Sequence, residues 1–171
     1  VTLKMRTGWC DTERNAVRLA RAAEAAGVAM VTVHGRTREQ GYKGAAEYDT
    51  IAAVKAALRI PVVANGDIDT PEKARAVLAA TGADAIMIGR AAIGYPWIFN
   101  EIKHFIKTGE HLPAPTIEDR LFVCRKHLNK SIEWKNPVVG INEMRRHYAN
   151  YLKGLPNIKE FRNKLVTLTT E

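Results

Sequence analysis

The sequence predicts an α/β fold in which four βα units build a parallel sheet, followed by a separate basic, all-helical segment. Three observations carry that expectation. Short runs rich in Val, Ile and Met alternate with amphipathic helical stretches through the first hundred residues. The alternation stops after Gly109, at the Pro-containing stretch HLPAPT. Beyond it every periodic segment reads as helix and the charge becomes more positive.

Taken in order, Val1–Met5 reads as the first strand, with a helix entered at Asp11 or Thr12 and closed near Gly27. Residues 28–33, VAMVTV, form the second strand. After a long polar loop comes a helix over 49–58 with Ile51, Val54 and Leu58 on one face. Pro61–Ala64 is the third strand. Its helix carries strong boundary signals: Asp69 or Thr70 as N-cap, Pro71 at the first helical position, Glu72 in the first turn and Gly82 past the end. ADAIMI, residues 83–88, is the fourth strand, followed by a Gly-Arg turn and another helix. In the tail, helices are expected to begin at Thr116-Ile-Glu-Asp119, at Pro137 and at Asn157-Ile-Lys-Glu160, the last with a capping-box-like start. The division is 1–112 for the sheet-bearing part and 113–171 for the helical part.

Composition narrows the function classes. With 46% hydrophobic and 26% charged residues the chain is globular. No apolar run is long enough to span a bilayer and no leader pattern opens the sequence, so no membrane role is expected. Cys10 and Cys124 are isolated, and no Cys/His cluster has metal-ligand spacing; the expectation is two free thiols, no metal and a cytoplasmic location. The net charge is +8, unevenly placed. Residues 1–100 hold 13 Lys/Arg against 10 Asp/Glu, and residues 101–171 hold 13 against 8 in a shorter length. A polyanionic partner for the tail suits that excess.

In parallel α/β folds, ligands bind at the C-terminal ends of the strands. Four chemically useful groups fall at that level: Lys4 on the first strand, His34 just past the second, Asn65-Gly66-Asp67 after the third, and Gly89-Arg90 after the fourth. Glycines let a ligand approach the backbone, and the Arg90 guanidinium suits a phosphate dianion. Each group alone has an ordinary structural explanation; four at one level point to a single phosphate-bearing ligand. A phosphate site on the last two loops is a recurrent feature of (β/α)8 barrels; if these are those loops, Val1 begins the fifth strand and the four units are the second half of such a barrel.

The strings VTLKMRTGW, VTVHGRTREQGYKG, PVVANGDI and IMIGRAAIGYPWIF, with NEMRRHYANYLKGLP and FRNKL in the tail, resemble the C-terminal portion of bacterial tRNA-dihydrouridine synthases of the B-type branch. The resemblance implies an FMN-binding (β/α)8 TIM barrel followed by a helical tRNA-binding domain. It also implies reduction of uridine to 5,6-dihydrouridine in tRNA, with NADPH as electron donor. By motif match, Lys4 would lie against the flavin ring, where a positive group favours the reduced anion. His34 would touch the flavin or its phosphate, Asn65, Gly66 and Asp67 would line the ribityl-phosphate site, and Gly89 and Arg90 would grip the phosphate. Arg36 and Tyr42 lie on the loop after the second strand without an assigned role. The family's catalytic acid is a cysteine in an Asn-Pro-x-x-Cys-Pro loop; nothing here matches it, and neither Cys10 nor Cys124 takes its place. No catalytic residue is therefore assigned, and these 171 residues alone are expected to be inactive.

The target uridine must leave its stack to be reduced. Arg125, Lys126, Lys130, Arg145, Arg146 and Lys153 are the expected RNA contacts, with Tyr148 and Tyr151 either stacking on bases or packing the helical core. Arg145 and Arg146 are adjacent, about 100° apart on a helix, and cannot both face the RNA equally. Two other readings stand beside this one: another FMN barrel oxidoreductase, of the dihydroorotate-dehydrogenase or enone-reducing kind, and a non-catalytic RNA-binding remnant that self-associates through the open half-barrel.

Overall fold

The computed structural model describes residues 1–155 and 158–169. It divides into two compact units: residues 1–90 with 101–110, and 91–100 with 111–171.

The first unit contains four parallel strands, β1 (Leu3–Arg6), β2 (Val31–His34), β3 (Val62–Asn65) and β4 (Ala85–Met87), hydrogen-bonded in the order β1-β2-β3-β4. Helices α1 (Ala16–Ala25), α2 (Asp49–Ala57) and α3 (Pro71–Thr81) connect them. A sequential, all-parallel order is that of consecutive units of a (β/α)8 barrel. The central strands are the buried ones: Val31, Val33, Val62 and Ala64 are fully enclosed, as are Ile51 and Val54 of α2 and Ala74 and Val77 of α3, the two helices that pack on β3. That burial explains their near-continuous apolar character.

The element boundaries follow local chemistry. Thr70 caps α3, its hydroxyl accepting from Lys73 N–H at 3.1 Å, Pro71 starts the helix, and Gly82 ends it in the left-handed conformation. α1 begins at Ala16 rather than at Asp11 or Thr12. Residues 8–15 instead form a loop, in which Trp9 N–H bonds Glu13 C=O, and Arg14 is held by Asp11 (2.7 Å) and Glu47 (2.8 Å). β2 starts three residues later than its apolar run. Val28 N–H is taken by Ala23 C=O at the end of α1, and Ala29 N–H by Val1 C=O. His34 is consequently the last residue of β2 and not the first beyond it.

The second unit is built on α5 (Ile117–Lys135), α6 (Pro137–Tyr151) and α7 (Ile158–Thr167); α4 (Ile98–Thr108) contributes residues to both units. α5 opens with a full capping box between Thr116 and Asp119. Asn136 alone separates α5 from α6: its N–H bonds Ile132 C=O, and its side chain accepts from Val139 N–H. Gly140 then allows α6 to run against the backbone of α5. The core is Cys124, Met144, Tyr148, Tyr151 and Leu152, against which Trp97, Val123 and Leu128 pack. Asn157, read as the cap of α7, lies outside the described residues.

Candidate flavin-phosphate and nucleic-acid sites

Parallel pairing aligns one row across the whole sheet: Arg6 opposite His34, His34 opposite Asn65, and Asn65 opposite Met87. Paired residues of a parallel ladder share a face, so three polar side chains stand side by side at the strand ends. Lys4 pairs with Thr32, two residues deeper on that same face. The sequence reading placed Lys4 at the end of β1, and in the structure Arg6 holds that position. The Lys-x-Arg spacing, which puts both cations on one side of a strand, was the signal that could have found Arg6.

Each side chain has a defined anchorage. Asn65 donates its amide to Met87 C=O at 2.7 Å, tying β3 to β4. Arg6 donates to Thr37 C=O (2.8 Å) and Gly41 C=O (3.0 Å), fastening the loop after β2. The His34 ring is buried, and no hydrogen bond to it is made among the described residues. Burial, followed by the charges of Arg6, Lys4 and Arg36, lowers its pKa to about 4 against a smaller opposing effect of Asp67. It is therefore a neutral imidazole near pH 7. The Lys4 ammonium is likewise pushed down, by burial first and then by Arg6.

Gly66, with φ 128°, is also required by the fold itself. A Cβ there would stand 2.8 Å from Ala46 Cβ and 3.1 Å from His34 Cδ2. The glycine makes room for the returning loop and the imidazole. Gly89 does face open space on its Cβ side. Asp67 adopts a positive φ of 47° and is saturated. It accepts from both terminal nitrogens of Arg36 (2.9 and 2.7 Å), from Ala46 N–H (2.8 Å) and from Arg90 (3.0 Å). Burial raises its pKa, but the Arg36 hydrogen bonds, the Ala46 amide and the charges of Arg36 and Arg90 outweigh that and hold the carboxyl ionised. Arg90 remains 60% exposed, its guanidinium 4.8 Å from the Tyr42 ring centre. Four cations (Lys4, Arg6, Arg36 and Arg90) thus surround one carboxylate and one neutral imidazole, an environment with net positive charge.

The polar groups of the helical unit separate into two sets. Arg125, Lys126 and Lys130 are exposed on one face of α5, alongside the exposed Leu121 and Phe122. Arg146 and Lys153 are exposed on and just after α6. Arg145 is half-buried and donates to Leu168 C=O at the end of α7 (2.9 Å), an internal tie. Tyr148 and Tyr151 are buried in the core, which decides between their two readings in favour of packing. Cys124 is enclosed with them, its thiol pushed up to about 11 by burial, and Cys10 sits 3.2 Å from the Thr12 hydroxyl. No group of three potential metal-ligating side chains converges among the described residues, and none of the described helices is long and apolar enough to cross a membrane.

A sequence profile described as dihydrouridine synthase (Dus) matches residues 1–171, the whole chain. The chain belongs to the dihydrouridine synthase family. It is 51% identical over 168 residues to tRNA-dihydrouridine synthase B of Pseudomonas putida, covering 98% of this chain and 50% of that protein. It is 52% identical to the same-named protein of Pseudomonas aeruginosa, covering 95% and 49%. Identity to a probable tRNA-dihydrouridine synthase of Rickettsia conorii is 48%, covering 95% and 49%. This dihydrouridine synthase chain spans about half the length of the curated relatives it matches.

Proposed function

We propose that this chain is the C-terminal portion of a tRNA-dihydrouridine synthase, with residues 1–112 holding FMN and residues 113–171 contacting tRNA. The observation that carries the reading is the polar row Arg6–His34–Asn65 at the strand ends, flanked by Lys4, Arg36 and Arg90 and net positive. Those residues fit a flavin mononucleotide. The buried His34 ring has an unused nitrogen, the Gly89 backbone is open, and Arg90 has free donors for a phosphate. When bound, FMN supplies hydride to the uracil ring, replenished from NADPH.

The chain's own residues orient and polarise. Lys4 and Arg6 present positive charge on one face of β1, which favours negative charge developing on a flavin or pyrimidine held there. His34, kept neutral, serves as a hydrogen-bond partner rather than a third cation. Arg6 also fixes the loop carrying Tyr42. The acid that protonates the ring carbon is assigned to the family's cysteine loop, whose motif these residues do not match. On α5, Arg125, Lys126 and Lys130 suit backbone phosphates, and the neighbouring Phe122 suits an unstacked base. A cytoplasmic location accords with a tRNA substrate.

The test compares the full-length protein with residues 1–171 alone, each supplied with FMN, NADPH and unmodified tRNA. The product is dihydrouridine, read by nucleoside mass spectrometry. The full-length protein should form it and the 171-residue chain should not; turnover by the short chain would overturn the assignment of the acid elsewhere. Binding of tRNA should fall steeply with salt, and salt-independent binding would remove α5 as the contact face.

A further inference from the structure

Arg36 is the most completely buried charged side chain among the described residues, 2% exposed, although its position on a loop gives it no reason to be inside. It spends all its reach internally. Nε donates to Lys43 C=O (3.2 Å), Nη2 to Gly44 C=O (2.6 Å), and both terminal nitrogens to Asp67. The same Asp67 oxygen that accepts from Arg36 Nη1 accepts from Arg90 Nη2. One carboxylate is thus shared between a buried guanidinium and an exposed one.

The sharing has an electrostatic consequence. A carboxylate next to a phosphate site repels the anion, and an Arg90–Asp67 pair on its own would be neutral. Arg36 supplies the second positive charge, leaving the Arg36–Asp67–Arg90 triad with one net positive charge, carried on its exposed end. Asp67 in turn orients Arg90 from below while Tyr42 covers part of its face. We infer that Arg36, acting through Asp67, is a positioning residue of the anion grip: it neutralises Asp67 so that the full charge of Arg90 serves a phosphate group. The inference rests on the flavin-phosphate reading proposed above and adds to it a residue outside the strand ends.

The experiment uses full-length protein stripped of flavin and titrated with FMN and with riboflavin, which differ only by the phosphate. The ratio of their dissociation constants isolates the phosphate contact. In Arg36→Met, the preference for FMN should fall about tenfold, because the Asp67 charge is then left to offset Arg90 at the phosphate, while riboflavin affinity stays within about threefold. Asp67→Asn keeps an acceptor but removes the opposing charge, so the preference should equal or exceed that of the wild type. The double variant Arg36→Met/Asp67→Asn should recover the preference to within about threefold of wild type. An unchanged ratio in Arg36→Met, an equal loss for both flavins, or a double variant as poor as Arg36→Met overturns the inference, the second outcome leaving Arg36 a loop-packing residue only. If Arg36→Met does not fold, Asp67→Asn decides alone: a preference below wild type overturns it. A wild-type protein that does not distinguish FMN from riboflavin would instead refute the underlying flavin-phosphate reading.

Discussion

The neutral His34 makes the stability of the barrel portion depend on pH in a calculable way. Its folded pKa is about 4, against about 6.5 when unfolded. The unfolded chain therefore binds a proton more readily, and the stabilising contribution is complete above pH 6.5 and drains away as pH falls toward 4. Linkage over that interval gives a loss of about 1.4 kcal/mol by pH 5.5 and about 2.5 kcal/mol by pH 4.5 from this ring alone. His127 and His147, both depressed by burial first and by nearby charges next, add losses of the same sign from the helical unit. The His34 share is isolated by comparing wild type with His34→Gln in urea denaturation at pH 7.5, 5.5 and 4.5. The stability gap between the two should narrow by those amounts on acidification. Heteronuclear NMR of the ring supplies a direct check, with protonation expected near pH 4. A ring that titrates near 6.5, or a gap independent of pH, would refute the reasoning that Arg6, Lys4 and Arg36 together with burial keep this imidazole uncharged.

Three substitutions probe other parts of the structure. Gly66→Ala places a methyl 2.8 Å from Ala46 Cβ at a φ of 128°, and should lower stability by about 2–4 kcal/mol in urea melts; a midpoint equal to wild type would show that the loop can yield. Gly140→Ala drives a Cβ to 2.7 Å from Ile132 N and 2.8 Å from the Ser131 carbonyl carbon, backbone atoms that cannot rotate aside. A loss of about 1–3 kcal/mol is expected from calorimetry, and retention of the wild-type Tm would mean the helices separate without cost. Arg90→Ala should weaken FMN by roughly 1.5–3 kcal/mol, about 10- to 150-fold, with riboflavin little affected; equal FMN affinity would remove Arg90 from the phosphate site.

Much of this architecture is legible in the sequence where local chemistry decides it. Thr70, Pro71 and Gly82 bracket α3, Thr116 and Asp119 begin α5, and Pro137 begins α6, because caps and proline act within one turn. The start of α1 is not legible locally. It is set by Arg14 reaching Glu47, 33 residues away, and by the backbone bonds that shape the loop before it. The site shows the same division. His34, Asn65, Gly89 and Arg90 stand out by their places after apolar runs, whereas Arg6 leaves only the Lys-x-Arg spacing, which strand register then interprets, and Arg36 shows only through its bond to Asp67 across 31 positions. Pairing partners chosen by tertiary contact leave no periodic trace in the chain.

The single-residue junction at Asn136 has a mechanical consequence. α5 hands its last backbone bonds to a residue that already caps α6, and Gly140 locks the two backbones together four residues later. There is no slack to take up. Any partner meets the charged surface of α5 and the start of α6 as a stiff two-pronged bracket whose spacing is preset, and an insertion at the joint would change the angle between the prongs rather than lengthen a tether. Adaptation of this surface to a different partner must then come from exchanging side chains along the bracket, since its frame has no loop in which to vary.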